Sequence, residues 1–305
     1  MDGSNRMMDG SNRNPETLVA GGAFFECPRW HEGRLWVSDY WRHQVLAIAP
    51  DGATETMAQV PGSPSGLGWL PDGALLVVSM LDTKLLRVQN GATVVHADLS
   101  AHSGPQGNDM VVDAVGRAYV STIDFEGFAD MAATNLVRVD PDGSVSVAAD
   151  GLLFPNGSVI TPDGSTLIVA ESWGQRLTAF DLRPDGSLTN RRDWARFAPP
   201  DADPRGQPAQ WSCAPDGITL DAEGAVWVAD AANKRAVRVR EGGEVLEELG
   251  AGDLDVIACT LGGEDGRTLF LCVTPDFRLP PEEAARTRPA RILTCRVDVP
   301  HAGRP

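Results

Sequence analysis

The feature that most constrains this chain is a short phrase that returns along it. Its clearest form is Phe154-Pro155-Asn156-Gly157, and altered forms stand at Phe25-Glu26-Cys27-Pro28, Pro64-Ser65-Gly66, Gly107-Asn108-Asp109, Pro215-Asp216-Gly217 and, more weakly, Val256-Ile257-Ala258. Most lead into a short run ending at an apolar residue, a Gly-containing turn such as Pro71-Asp72-Gly73 or Pro162-Asp163-Gly164, and a β-branched run such as Leu75-Leu76-Val77-Val78 or Leu167-Ile168-Val169-Ala170. That is a hairpin signal. It recurs with separations of 39, 43, 48, 60 and 41 residues between Glu26, Ser65, Asn108, Asn156, Asp216 and Ile257. A repeat of that period built from short strands predicts an all-β, six-bladed β-propeller, in which equivalent positions of successive blades form a ring around a central channel.

The ring positions carry chemistry. Glu26, Asn108, Asn156 and Asp216 offer two carboxylates and two amides, the all-oxygen donor set that suits a hard cation such as Ca²⁺, Mg²⁺ or Mn²⁺. Ser65 offers only a hydroxyl and Ile257 nothing. Asn and Asp also serve as plain turn residues, but Asn108 and Asn156 recur at the ring position, and Asp216 falls at the start of a blade and not in its hairpin. Glu26 follows Phe24-Phe25, an apolar setting in which a carboxylate needs a partner.

The blades are expected to start at Glu26, Ser65, Asn108, Asn156, Asp216 and Ile257. Loops longer than a hairpin needs are expected at Ile123 to Asn135, at the Pro-rich Asp193 to Cys213 and at Thr274 to Pro289, where extra chain tends to lie on the functional face. Trp30, Trp36, Trp69, Trp173 and Trp227 read as blade-packing residues, with Trp41 and Trp211 at the mouth. An open ring would expose strand edges, so Glu16-Thr17-Leu18-Val19-Ala20 is expected to pair with blade six. Residues 1–13 repeat Met-Asp-Gly-Ser-Asn-Arg and read as a tag-like or disordered segment, which leaves 14–305 as a single propeller domain.

Composition narrows the partners. A formal charge of −16 with no basic cluster argues against nucleic acid, and no apolar run approaches the roughly 20 residues of a membrane span. Five cysteines without CxxC spacing read as small buried residues of a reducing, cytoplasmic protein. The five scattered histidines repeat no ring position, and without a G-x-S-x-G phrase a serine triad has no support.

Taken together and in order, Phe25-Glu26-Cys27-Pro28-Arg29-Trp30, Gly107-Asn108-Asp109, Phe154-Pro155-Asn156-Gly157 and Ala214-Pro215-Asp216-Gly217 resemble the SMP-30/gluconolactonase/LRE-like family of six-bladed propellers, which includes regucalcin-type lactonases. The resemblance covers residues 16 to 298. It implies one divalent metal held by Glu26, Asn156 and Asp216 with Asn108 near it, Ca²⁺ first and Zn²⁺, Mg²⁺ or Mn²⁺ as alternatives. It also implies hydrolysis of a small lactone, with Gln106, Asn108 and Glu126 contacting substrate; Asp216, a carboxylate that opens blade five just after the Pro-rich loop, reads as the base. Gln106 stands where the lactonases carry an Arg. It lacks the charge and the fork of a guanidinium, which counts against an acidic sugar lactone. Two other readings share these residues: a propeller that binds metal and ligand without turnover, and a metal-dependent hydrolase or lyase of another electrophile such as a phosphoester.

Overall fold

A computed structural model describes residues 14–124, 132–199 and 211–304. Among them the strands form six four-stranded antiparallel sheets. The inner strands are Phe25–His31, Pro64–Trp69, Gln106–Val112, Pro155–Ile160, Pro215–Leu220 and Asp255–Gly262. Each begins within a residue or two of its ring position, as the repeat predicts. The sixth sheet takes its outermost strand, Glu16–Gly22, from the start of the fold, with Glu16 opposite Thr294 and Gly22 opposite Ala290. The expected closure of the ring is therefore present, and it protects the edge that blade six would otherwise expose.

The core is divided into wedges between neighbouring blades. One wedge packs Leu76, Val78 and Leu85 of blade two against Met110, Val120 and Val137 of blade three. Another packs Val111, Tyr119 and Leu136 of blade three against Leu167, Val169 and Phe180 of blade four. Alternation explains this, because a blade in the ring buries both faces while its outer strand meets water. The outer strand Ala92–Asp98 is exposed along most of its length, whereas Leu75–Ser79 is buried throughout. Trp30, Trp36, Trp69 and Trp227 sit in or against these wedges as expected. All five cysteines are buried, and no disulfide occurs among the described residues. No helix among the described residues is long and apolar enough to cross a membrane.

The loop boundaries differ from the sequence reading. Asp193 to Arg196 complete the outer strand Leu188–Arg196 of blade four, so the chain leaves regular structure only after them. The segment from Thr274 to Pro289 contains a short helix, Pro281–Thr287, which packs against the 3-10 turn Tyr40–Arg42 of blade one. The hairpin turns at Gly73, Gly164 and Gly224 lie at the opposite, lower end, where positive φ makes glycine the suitable residue. At that end Ala302 N donates to Leu220 O (2.9 Å) and Arg304 N to Ile160 O (3.0 Å), so the C-terminal segment crosses the lower ends of the inner strands of blades five and four.

Candidate functional site

The recurring phrase is the signature of a β-bulge. Pairing of the inner strand with its neighbour breaks between Glu26 and Arg29, Pro64 and Leu67, Gly107 and Met110, Pro155 and Ser158, Pro215 and Ile218, and Val256 and Ala258. A bulge adds a residue to one strand and re-aims the side chains beside it. That removes each ring residue from strict in-and-out alternation. The glycine of the phrase has a second cause. A Cβ on Gly157 would lie 2.7 Å from Ile218 N and 2.8 Å from Asp216 O, and one on Gly217 would lie 2.5 Å from the Ala258 Cβ. Adjacent inner strands can approach this closely only because those side chains are absent.

This packing brings Glu26, Asn108, Asn156 and Asp216 together at the upper end of the channel. Asn108 Nδ2 donates to Pro155 O (3.3 Å) and Asn156 Nδ2 to Ser172 Oγ (3.4 Å), and the Asn156 amide lies close enough to the Asp216 carboxylate to favour its charged form. Glu26 and Asp216 are close enough for each charge to oppose the other's ionisation. Glu26, Asn108 and Asn156 are each 6% exposed, while Asp216 is half-buried. Gln106 opens the inner strand of blade three, half-buried and two residues above Asn108. Glu126 lies outside the described residues.

Three buried carboxylates hold the chain just ahead of the ring. Asp39 accepts from Ala23 N (3.0 Å) and Phe24 N (3.1 Å), Glu171 from Leu153 N (2.8 Å) and Asp230 from Ala214 N (3.0 Å). Each ends the second strand of its blade, opposite Phe25, Pro155 and Pro215. Hydroxyls then tie one blade to the next, with Ser38 Oγ donating to Ser65 O (2.6 Å), Ser121 Oγ to Asn156 O (3.2 Å) and Ser172 Oγ to Pro215 O (2.7 Å).

The electrostatics are those of concentrated negative charge. Burial, then the charge of Asp216, pushes the Glu26 carboxyl well above its usual range; the Cys27 N–H and Arg29 offset this only in part. Burial, then the charge of Asp109, pushes Asp216 up as well, against the nearby Asn156 amide. Arg29 reaches from blade one to blade three, donating to Met110 O (2.7 Å) and pairing with Asp109. With Glu26, Asp216 and Asp109 all ionised against the one guanidinium, the site would carry an excess of two negative charges, which is why ionisation of Glu26 and Asp216 is opposed without a cation.

The residues fit a divalent cation. Asp216 Oδ1 is fully buried and has no hydrogen-bond partner among the described residues, a costly state for a carboxylate oxygen unless a positive centre meets it. The excess of two charges matches such an ion. No group of three His, Cys, Asp or Glu suited to a metal occurs among the described residues, so the donor set must mix carboxylates with amides, as hard cations accept.

The family model described as SMP-30/Gluconolactonase/LRE-like region matches residues 24–274. The chain belongs to this family. Among relatives, the 6-deoxy-6-sulfogluconolactonase of Pseudomonas putida is 27% identical over 92% of this chain and 93% of its own. The pentonolactonase XacC of Haloferax volcanii is 26% identical over 81% and 80%. Among solved structures, the calcium-binding protein regucalcin of Agrobacterium tumefaciens superposes with a TM-score of 0.77 at 18% identity, covering 96% of this chain and 97% of that one, which shows the shared fold.

Within this family fold the mouth carries two aromatic groups. Phe24, Tyr40 and Trp41 stand together on blade one, and Trp173 and Trp211 pack with Phe154 and Ala214 between blades four and five. Trp41 and Trp211 are placed as the sequence reading expects. Trp173 is not a blade-packing strand residue, because its strand ends at Glu171 and the turn after it carries Trp173 to the mouth. Sequence reasoning missed Tyr40, Arg29 and Asp109, and the three clamping carboxylates. The last had a signal, since Val37-Ser38-Asp39, Val169-Ala170-Glu171 and Val228-Ala229-Asp230 close equivalent strands.

Proposed function

We propose that this protein is a lactonase that opens a small cyclic ester with the help of one divalent cation, Ca²⁺ first and Zn²⁺, Mg²⁺ or Mn²⁺ as alternatives. Glu26, Asn156 and Asp216 hold the ion, with Asn108 in or beside its shell. The observation that carries the reading is Asp216 Oδ1, buried and without a hydrogen-bond partner among the described residues, beside Glu26 and Asn156 in a channel whose carboxyl groups outnumber its one guanidinium by two. The names of the Pseudomonas putida and Haloferax volcanii relatives support the reaction class, and the calcium-binding regucalcin structure supports the kind of cofactor.

The cation, when bound, supplies a Lewis acid for the ester carbonyl and lowers the pKa of a water. The protein's residues do the rest. Hydrolysis adds the water oxygen to the acyl carbon, breaks the ring C–O bond and leaves a hydroxy acid. Asp216 Oδ1 serves as the ligand atom, and Oδ2 accepts the proton of the attacking water while the Asn156 amide holds the carboxylate's orientation. Glu26, more enclosed and tied to the Cys27 N–H (2.9 Å), is the anchor. Gln106 and Asn108 orient substrate hydroxyls as neutral groups, which favours a neutral lactone over an acidic one. Glu126 is assigned to the same role from the family resemblance. The partner is thus a small molecule, and buried cysteines without a disulfide suit a reducing cytoplasm.

A panel of neutral and acidic lactones assayed by pH-stat, with chelator and with metals restored singly, tests this. Turnover of at least one lactone, lost to chelator and regained with a divalent ion, is expected. Activity that survives complete chelation would remove the cation from the reaction.

A further inference from the structure

We propose that Tyr40 is a positioning residue that orients the Asn108 amide, an inference that rests on the cation reading above. Tyr40 lies in the 3-10 turn after the second strand of blade one, is 6% exposed, and is held by the rings of Phe24 and Trp41. Its hydroxyl lies 2.7 Å from Ser65 Oγ and 3.4 Å from Asn108 Oδ1. Three blades thus meet at one phenol.

The direction of these bonds follows from what each atom can donate. Asn108 Oδ1 only accepts, so the phenol proton must point at it or two sets of lone pairs would face each other. Ser65 Oγ can then satisfy Tyr40 by donating, since its other polar neighbour is the weak Cys27 thiol at 3.7 Å. The order is Ser65 to Tyr40 to Asn108. Asn108 Nδ2 is used from the other side by Pro155 O (3.3 Å). An amide rotated by half a turn would set its oxygen against the Pro155 carbonyl and withdraw the acceptor from Tyr40. Two of the four bonding positions of the amide are therefore fixed, leaving one acceptor lone pair and one N–H for the channel.

Mn²⁺ binding followed by electron paramagnetic resonance tests this independently of turnover, using the wild-type chain, Tyr40→Phe, Asn108→Ala and the double variant. Removing one hydrogen bond should weaken Mn²⁺ binding about 3- to 10-fold in Tyr40→Phe. The double variant should bind no more weakly than Asn108→Ala alone, because a residue acting through another loses its effect when that residue is gone. A purely structural role would lower the melting temperature of Tyr40→Phe and leave the two losses additive. Additive losses, or Tyr40→Phe binding like wild type, overturn the inference. A wild-type protein that binds no Mn²⁺ overturns the cation reading and this inference with it.

Discussion

Gly157→Ala is the substitution that most directly tests whether close packing of inner strands builds the site. The new Cβ would stand 2.7 Å from Ile218 N and 2.8 Å from both Asp216 O and Gly217 Cα, all of them backbone atoms that cannot rotate away. Ordinary contact needs about 3.5 Å or more, so the inner strand of blade five must retreat by roughly 0.7–1 Å. That exceeds the roughly 0.5 Å within which binding groups must be held. The retreat separates Asp216 from Asn156, two of the proposed ligands. Overpacking costs about 1–3 kcal/mol, which lowers the melting temperature by roughly 2–4 °C per kcal/mol or somewhat less for a chain of this size. Cation affinity should fall by about 10- to 100-fold, the range seen when the supports of a metal site are disturbed. Gly68→Ala is the control. Its Cβ would meet the side chain of Val112, two residues further down the wall of blade two, where no ligand is proposed. Paired thermal melts and Mn²⁺ titrations of the two variants should show lost stability in both and lost affinity in Gly157→Ala only. Wild-type affinity in a folded Gly157→Ala would refute the argument that the missing side chain sets the spacing of the ligands.

Other outcomes follow from particular residues. Asp216→Asn keeps an oxygen for the cation but removes the proton acceptor, so turnover at saturating metal should fall by roughly 10² or more; a near wild-type rate would leave Asp216 a ligand only and send the search for a base to Glu126. Gln106→Arg should raise turnover of acidic lactones relative to neutral ones, and an unchanged ratio would place Gln106 outside the substrate pocket. Burial pushes Glu171 up, but hydrogen bonds and charge from Arg176, with bonds from Leu153 N–H and Thr178, bring it below its usual value. A carboxyl depressed in the folded state stabilises above its unfolded pKa, and that contribution is lost as pH falls through the folded one. Glu171→Gln should therefore flatten the loss of stability below about pH 4.5 while costing up to about 3 kcal/mol at neutral pH. Acid denaturation curves that keep the wild-type slope would show that Glu171 does not titrate in this way.

How much of this was legible in the sequence depended on how local its cause was. The ring positions were readable because a bulge between crowded strands demands small or stiff neighbours, and Pro155-Asn156-Gly157 meets both demands within three residues. The closing strand was readable for a similar reason, since Glu16 to Ala20 had the composition of a strand and the ring had one edge left. Asp193 to Arg196 were misjudged because the outer strand they complete meets water along its earlier part, although Trp194 and Ala195 near its end are buried. Its side chains, from Asn190 through Arg191, Arg192 and Asp193, carry no apolar alternation to detect. The helix Pro281–Thr287 did carry a signal, with Pro281 at its first position and Glu282 and Glu283 in the first turn, but seven residues are too few for periodicity to show. Arg29 with Asp109, and Tyr40 with Ser65 and Asn108, were beyond reach. Partners so far apart in sequence meet only once the ring closes.

The distribution of buried charge adds a step that neither the repeat nor the ring alone supplies. At the end of the second strand, Asp39, Ser79, Glu171 and Asp230 face the start of the inner strand in blades one, two, four and five, while Thr122 faces Gly107 in blade three and Thr274 faces Asp255 in blade six. The carboxylates fall in blades one, four and five, the blades that carry Glu26, Asn156 and Asp216. A hydroxyl could accept one backbone N–H as well. A fully buried carboxylate holds its donors through stronger, charge-assisted bonds, and Glu171 and Asp230 are themselves braced by Arg176 at 2.9 Å and Arg235 at 3.0 Å. Desolvating these groups costs free energy, a cost absent from the equivalent strand-end positions of blades two, three and six, where the buried carboxylates Asp109 and Asp255 lie on the inner strands of blades three and six instead. These strand-end carboxylates therefore brace the three blades that carry the proposed ligands Glu26, Asn156 and Asp216, where Glu26 in particular would have to keep its place against the like charge of Asp216.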